Sequence, residues 1–84
     1  MSLLTLRRAR PEDDQALRTL AIIDSALPLD GDVLVAQLDG AVVAAISLPD
    51  GRSIADPFRH SADTVEILRM RRRQELARPR PALA

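Results

Sequence analysis

The chain has no cysteine, lysine, tryptophan or tyrosine, and Phe58 is its only aromatic residue. Without thiols, disulfide staples, thiolate metal sites and a cysteine nucleophile are excluded. The same absence agrees with a reducing, cytoplasmic setting. With a single ring, the core must be built from Leu, Ile, Val and Ala. No continuous apolar run approaches the ~20 residues that a membrane helix needs. The first residues, Met1-Ser2-Leu3-Leu4-Thr5-Leu6-Arg7, place charge after a short apolar stretch, the reverse of a signal peptide. The expectation is a soluble, untargeted protein without membrane insertion.

The chain is 84 residues long, 46% apolar and 29% charged, which suits one globular domain. A domain of this size buries only roughly 60–65% of the surface its unfolded chain exposes. Small cores without staples often lean on oligomerisation. Twelve basic residues, all arginine, balance twelve acids. The balance is uneven along the chain: Arg69, Arg71, Arg72, Arg73, Arg78 and Arg80 oppose only Glu75, whereas acids gather between Glu12 and Asp56.

The organising stretch is Val33–Leu48, two β-branched, apolar runs around Asp39-Gly40. Asp-Gly favours a two-residue hairpin turn, whose central residues both need positive φ. Both phases of each run are apolar, so the hairpin must be covered on both faces.

In chain order, Leu3 to Arg8 reads as a strand. Pro11, followed by Glu12, Asp13 and Asp14, opens a helix reaching about Ala26, since Pro suits the first turn and acids suit the N-terminal dipole. Its apolar stripe is Ala16, Leu17, Leu20, Ile23 and Leu27, with Ile22 off it. After the hairpin, Pro49-Asp50-Gly51 carries turn chemistry, and Arg52 to Ala55 forms a short strand stopped by Asp56-Pro57. Ser61 caps a second helix from Ala62 to about Ala77, striped by Ala62, Val65, Leu68 and Leu76. Arg69 and Arg72 sit at the edge of that stripe, while Ile67 and Met70 fall elsewhere. The prediction is an α+β fold: a mainly antiparallel three- to four-stranded sheet with two helices, order β-α-β-β-(β)-α. Residues 1–77 form the domain, and the two prolines after Arg78 make 78–84 a flexible tail.

Leu6-Arg7-Arg8-Ala9-Arg10-Pro11-Glu12-Asp13 leading into a helix, followed by Val35-Ala36-Gln37-Leu38-Asp39-Gly40-Ala41-Val42-Val43-Ala44, resembles the N-terminal half of GNAT-type N-acyltransferases over about residues 4–48. The resemblance implies an acyltransferase-derived scaffold. It stops short of the part that carries that family's chemistry, a glycine-containing loop whose amides at a helix N-terminus hold the pyrophosphate of acetyl-CoA. Gly31, Gly40 and Gly51 are all explained by turns, and no glycine follows Ser53. The resemblance therefore implies a truncated relative, of actinobacterial type by its all-arginine composition. It transfers no catalytic residue and supports no acetyl-CoA loop.

The remaining candidates are few. His60 is a lone histidine without an assignable partner, better read as a surface residue before a helix cap. Asp24, Asp30 and Asp32 lack the ligand spacing of a calcium loop, so no metal is expected. Asp56 and Phe58 suit a small pocket, against the plainer reading that Phe58 plugs the end of the core. Arg71, Arg72 and Arg73 could meet coenzyme phosphates in place of the glycine loop, although a solvated face is the plainer reading. With zero net charge and no Tyr or Trp nearby, nucleic acid is disfavoured. Ile54 on a clipped edge strand, with Ile67 and Met70, suits a homodimer interface. The leading expectation is a non-catalytic interaction or ligand-binding module acting as a homodimer, with or without another protein partner. The alternatives are an N-acyltransferase whose cleft is rebuilt by dimerisation, and a nucleic-acid or membrane-surface adaptor using the arginine-rich helix.

Overall fold

A computed structural model of the chain describes residues 3–59 and 62–77. The elements follow the predicted order: β1 (Leu4–Arg8), a single 3-10 turn (Pro11–Asp13), α1 (Asp14–Ile23), β2 (Val33–Leu38), β3 (Ala41–Ser47), β4 (Ser53–Ala55) and α2 (Ala62–Ala77). The four strands form one antiparallel sheet in the order β1-β2-β3-β4. The fold is α+β.

The doubly apolar hairpin is covered on both faces. Leu17, Leu20 and Ala21 of α1, with Leu29 from the following loop, pack on Val33, Val35, Ala45 and Ile54. On the opposite face Leu68 of α2 packs on Leu34, Ala36, Ala44, Ile46 and Leu48. Two helices thus sandwich one sheet, and the alternation of β2 sends its odd residues to α1 and its even residues to α2.

Asp39 (φ +52°) and Gly40 (φ +88°) both adopt left-handed backbone, as a primed hairpin turn requires. Leu38 pairs with Ala41, but the register slips between Ala36 and Gln37, where Ala36 faces Ala44 and Gln37 faces Val42. Val43 is the extra residue of a β-bulge, and its C=O accepts the Asp56 N–H at 2.9 Å. The bulge returns Val42 to the α1 face, where it packs against the core.

The first helix ends three residues earlier than its periodicity predicts. Ala26 N–H donates to the Ala21 C=O (2.8 Å) and Ser25 N–H to the Ile22 C=O (3.1 Å), with Ser25 at φ +51°. This is a Schellman stop with serine where glycine is usual. The chain therefore leaves the helix before Leu27, which is exposed, and Leu29 enters the core instead. Ala21 joins the buried stripe, while Ala16 and Ile23 do not. The second helix has the predicted bounds, yet only Leu68 is fully buried; Val65 is half-buried, and Leu76 lies in solvent.

Candidate interaction site

Three arginines tie the layers together through hydrogen bonds to main chain and carboxylate. Arg7 donates to Asp13 Oδ2 (2.7 Å) and Oδ1 (2.8 Å), to Gln37 Oε1 (3.0 Å) and to the Arg8 C=O (3.1 Å). Asp13 also accepts the Arg10 N–H at 2.6 Å, so one buried carboxylate joins β1 to the start of α1. Hydrogen bonding from Arg7, opposed by burial and helped by the Arg10 amide, holds its pKa at about 2. The same pairing raises the Arg7 guanidinium above its ordinary value. Arg52 donates to the C=O groups of Leu27 and Pro28, both at 2.7 Å, and fastens the end of the α1 loop to β4. Arg72 donates to the Leu48 C=O (2.9 Å) and the Pro49 C=O (3.4 Å), and fastens α2 to the β3–β4 turn. Gly51 sits under that clamp: a Cβ there would lie 3.1 Å from the Arg72 guanidinium. Next to it, the Arg52 backbone N–H, with the Ser47 hydroxyl, keeps the Asp50 carboxyl below its ordinary range.

Arg71 does not converge with Arg72 and Arg73. Residues on a helix turn about 100° per step, so Arg71 and Arg73 lie about 200° apart. Arg71 bonds Glu75, Arg72 is held by carbonyls, and only Arg69, Arg72 and Arg73 line one hollow, of about 280 Å³, with Ile46, Asp50 and Gly51. Arg69 itself pairs with Glu66. The arginine set suggested by adjacency in the sequence is therefore replaced by one set by helical spacing.

Ile54 is not available to a partner. It is 1% exposed and packed beneath α1, because alternation along β4 turns it inward. Ile67 and Met70 are exposed, as their position off the stripe requires. Phe58 is 84% exposed and neither plugs the core nor lines a described hollow, because its N–H is held by Asp56 Oδ1 (2.9 Å) in a turn that carries the ring outward. Of the other acids, Asp24 accepts the Ala55 N–H at 3.1 Å, Asp32 lies 3.8 Å from Arg8, and Asp30 is exposed. Among the described residues no three His, Cys, Asp or Glu groups are placed to hold a metal. His60, Ser61 and the 78–84 tail lie outside the described residues.

The two sheet edges differ. On β4 the outward N–H of Ala55 is taken by Asp24, the strand is three residues long, and Pro57 follows. On β1 the ladder to β2 runs through the odd residues, from the Leu3 C=O accepting Asp39 N–H (2.9 Å) to Ala9 N–H donating to the Val33 C=O (2.8 Å). The N–H and C=O groups of Leu4 and Leu6 therefore face away from the sheet. Among the described residues nothing pairs with them. The side chains of Leu4 and Leu6 are half-buried on the α2 face. Arg69 lies on the β4 side of α2, lining a hollow with Ala55 and Pro57, whereas Glu75 reaches Arg8 of β1 at 3.8 Å. Ile67, about 160° around the helix from Arg69, is thus on the flank toward β1. The open strand edge thus runs beside half-buried Leu4 and Leu6, with Ile67 on the same flank of α2, a site that needs topology and bond parity to find.

Among the described residues no helix is long and apolar enough to cross a membrane. No family model, curated protein or solved structure matches the chain.

Proposed function

We propose that the chain is a GNAT-like, non-catalytic interaction module that works in the cytoplasm as a homodimer. The observation that carries the reading is the open edge of β1 beside half-buried leucines. Unpaired main-chain groups next to apolar surface are a template for another strand, and β4 offers fewer of them, since it is three residues long and Asp24 takes its Ala55 N–H. The GNAT-like part of the reading is supported by α1 linking antiparallel β1 and β2 and by the tight Asp39-Gly40 hairpin. The inward use of Arg7, Arg52 and Arg72 supports an adhesive role, because these cations are held by the fold's own oxygens.

One observation favours a second reading. Arg69, Arg72 and Arg73 share a hollow, and a phosphate-bearing coenzyme such as acetyl-CoA is the ligand that an N-acyltransferase with a rebuilt cleft would place there. Calorimetry with acetyl-CoA, on a sample whose mass is measured in the same buffer, separates the two. Dimer mass without heat is the expected result. Saturable micromolar binding that is lost in Arg73→Ala would overturn the interaction-module reading in favour of the enzyme.

A further inference from the structure

We infer that β1 pairs with β1 of a second copy across a two-fold axis at Thr5, with Leu4 opposite the partner's Leu6, to form one continuous eight-stranded sheet. The inference rests on the interaction-module reading and names its partner and register.

The outward groups of Leu4 and Leu6 restrict the pairing. In an antiparallel ladder, residues whose N–H and C=O point at the neighbour must form hydrogen-bonded pairs, so Leu4 and Leu6 can pair only with residues of the same parity. A two-fold axis makes the pairing antiparallel and repeats each contact. With the axis at Thr5, Leu4 faces the partner's Leu6 twice, and each pair exchanges both bonds. All four leucine side chains then fall on the α2 face, and the exposed Ile67 of each helix lies on the flank toward the seam. On the other face Thr5, exposed in one copy, meets its own symmetry mate, a favourable cross-strand pair. Leu3, 70% exposed, lies against the aliphatic stem of the partner's Arg7.

Moving the axis to Leu6 would set Leu4 against Arg8, whose side chain already lies near Asp32 and Glu75 at 3.8 Å. That register replaces the two Leu4–Leu6 pairs by one Leu6–Leu6 pair and two Leu4–Arg8 pairs. An acidic peptide added to the same edge could use Arg8, but it would leave the leucine strip without an apolar counterpart. The self-complementary strip is what favours a second copy.

A chain without cysteine makes a clean test. At the Thr5 axis the two Thr5 residues form a non-hydrogen-bonded pair with Cα atoms about 4.5 Å apart. That spacing is within disulfide reach. Thr5→Cys, oxidised with glutathione disulfide, should link rapidly into a species of twice the 9.2 kDa chain mass. Ile22→Cys, on the exposed side of α1, should link far more slowly at the same concentration. Circular dichroism shows whether each variant keeps the fold. Sedimentation of the unaltered chain at about 100 µM should give the dimer mass independently of any variant. A monomer mass, or a Thr5→Cys that links no faster than Ile22→Cys, would overturn the proposal. A dimer linked instead through Met70→Cys would also overturn it, while leaving the interaction-module reading in place. Acetyl-CoA binding is the result that removes that reading itself.

Discussion

Replacing Asp13 by asparagine tests whether the Arg7–Asp13 pair is a source of stability. The carboxylate is 8% exposed and its arginine 18%, so neither is fully screened by water. A pKa of about 2 against an ordinary 3.8 corresponds to about 2 kcal/mol in favour of the folded state. The sign follows from the direction of the shift. A folded pKa below the unfolded one contributes fully above pH 4 or so, and is lost as pH falls toward 2. At pH 2 only a small part of that contribution remains. The Asp13→Asn change keeps the shape, leaves Arg7 without a counter-charge and turns an amide NH2 toward a donor, at a cost of about 2–4 kcal/mol at pH 7. For a domain of this size, with a total stability of roughly 4–13 kcal/mol, that is a large fraction. The assay is urea unfolding of both proteins at pH 7 and pH 2. Other carboxylates titrate in both proteins and cancel in the difference. The gap between the two should shrink by about 2 kcal/mol at pH 2, where protonated Asp13 resembles asparagine. A gap of equal size at both pH values would refute the electrostatic reasoning and leave packing as the cause.

Gly51→Ala and Gly40→Ala separate backbone strain from crowding. Both glycines have positive φ, but a Cβ at Gly40 meets nothing within 4 Å, whereas at Gly51 it meets Arg72 at 3.1 Å. Each should lose about 1 kcal/mol or more from φ alone. Gly51→Ala should lose more, and the excess should vanish in an Arg72→Ala background when the cycle is closed by urea unfolding. Arg52→Ala should cost about 1–2 kcal/mol by releasing the Leu27 and Pro28 carbonyls, and Arg52→Lys should recover only part of it, since an ammonium lacks the planar fork. Leu68→Ala should cost about 3–5 kcal/mol, because Leu68 is the one fully buried residue of α2. Phe58→Ser should stay within about 0.5 kcal/mol, measured by thermal unfolding.

Much of the fold is legible in the sequence because strong local signals agree. Asp39-Gly40 demands a primed turn, and two apolar phases demand cover on both faces; the described sheet lies between two helices. The errors have local physical causes. Serine at the left-handed stop hides the end of α1, since periodicity continues through Leu27 although the hydrogen bonds do not. The bulge at Val43 leaves no mark in a run where every residue is apolar, because a register slip changes faces only when the faces differ in polarity. The size of Phe58 points it to the core, but the Asp56 side chain holds its N–H and turns it into solvent.

The candidate site is harder to read for a reason that concerns topology more than residue type. Asp56-Pro57 clips β4, and a clipped strand suggests an edge in need of a partner, which singles out Ile54. The same shortness protects it: β4 offers few outward groups, and Asp24, delivered from the end of α1, takes the Ala55 N–H. Among the described residues the strand that carries no such protection is β1, where the Leu-Thr-Leu of Leu4–Leu6 looks ordinary in sequence. Its openness depends on two facts outside any local pattern: β1 is terminal in the sheet, and the ladder starts on an odd residue. Shift that ladder by one residue and Arg7, not Leu6, would present its main chain to solvent, while its side chain would leave Asp13. The Arg7–Asp13 pair thus sets the parity of β1 as well as anchoring it. Weakening that pair should therefore loosen the open edge together with the fold, so Asp13→Asn should lower the rate at which Thr5→Cys cross-links by more than its loss of folded population accounts for.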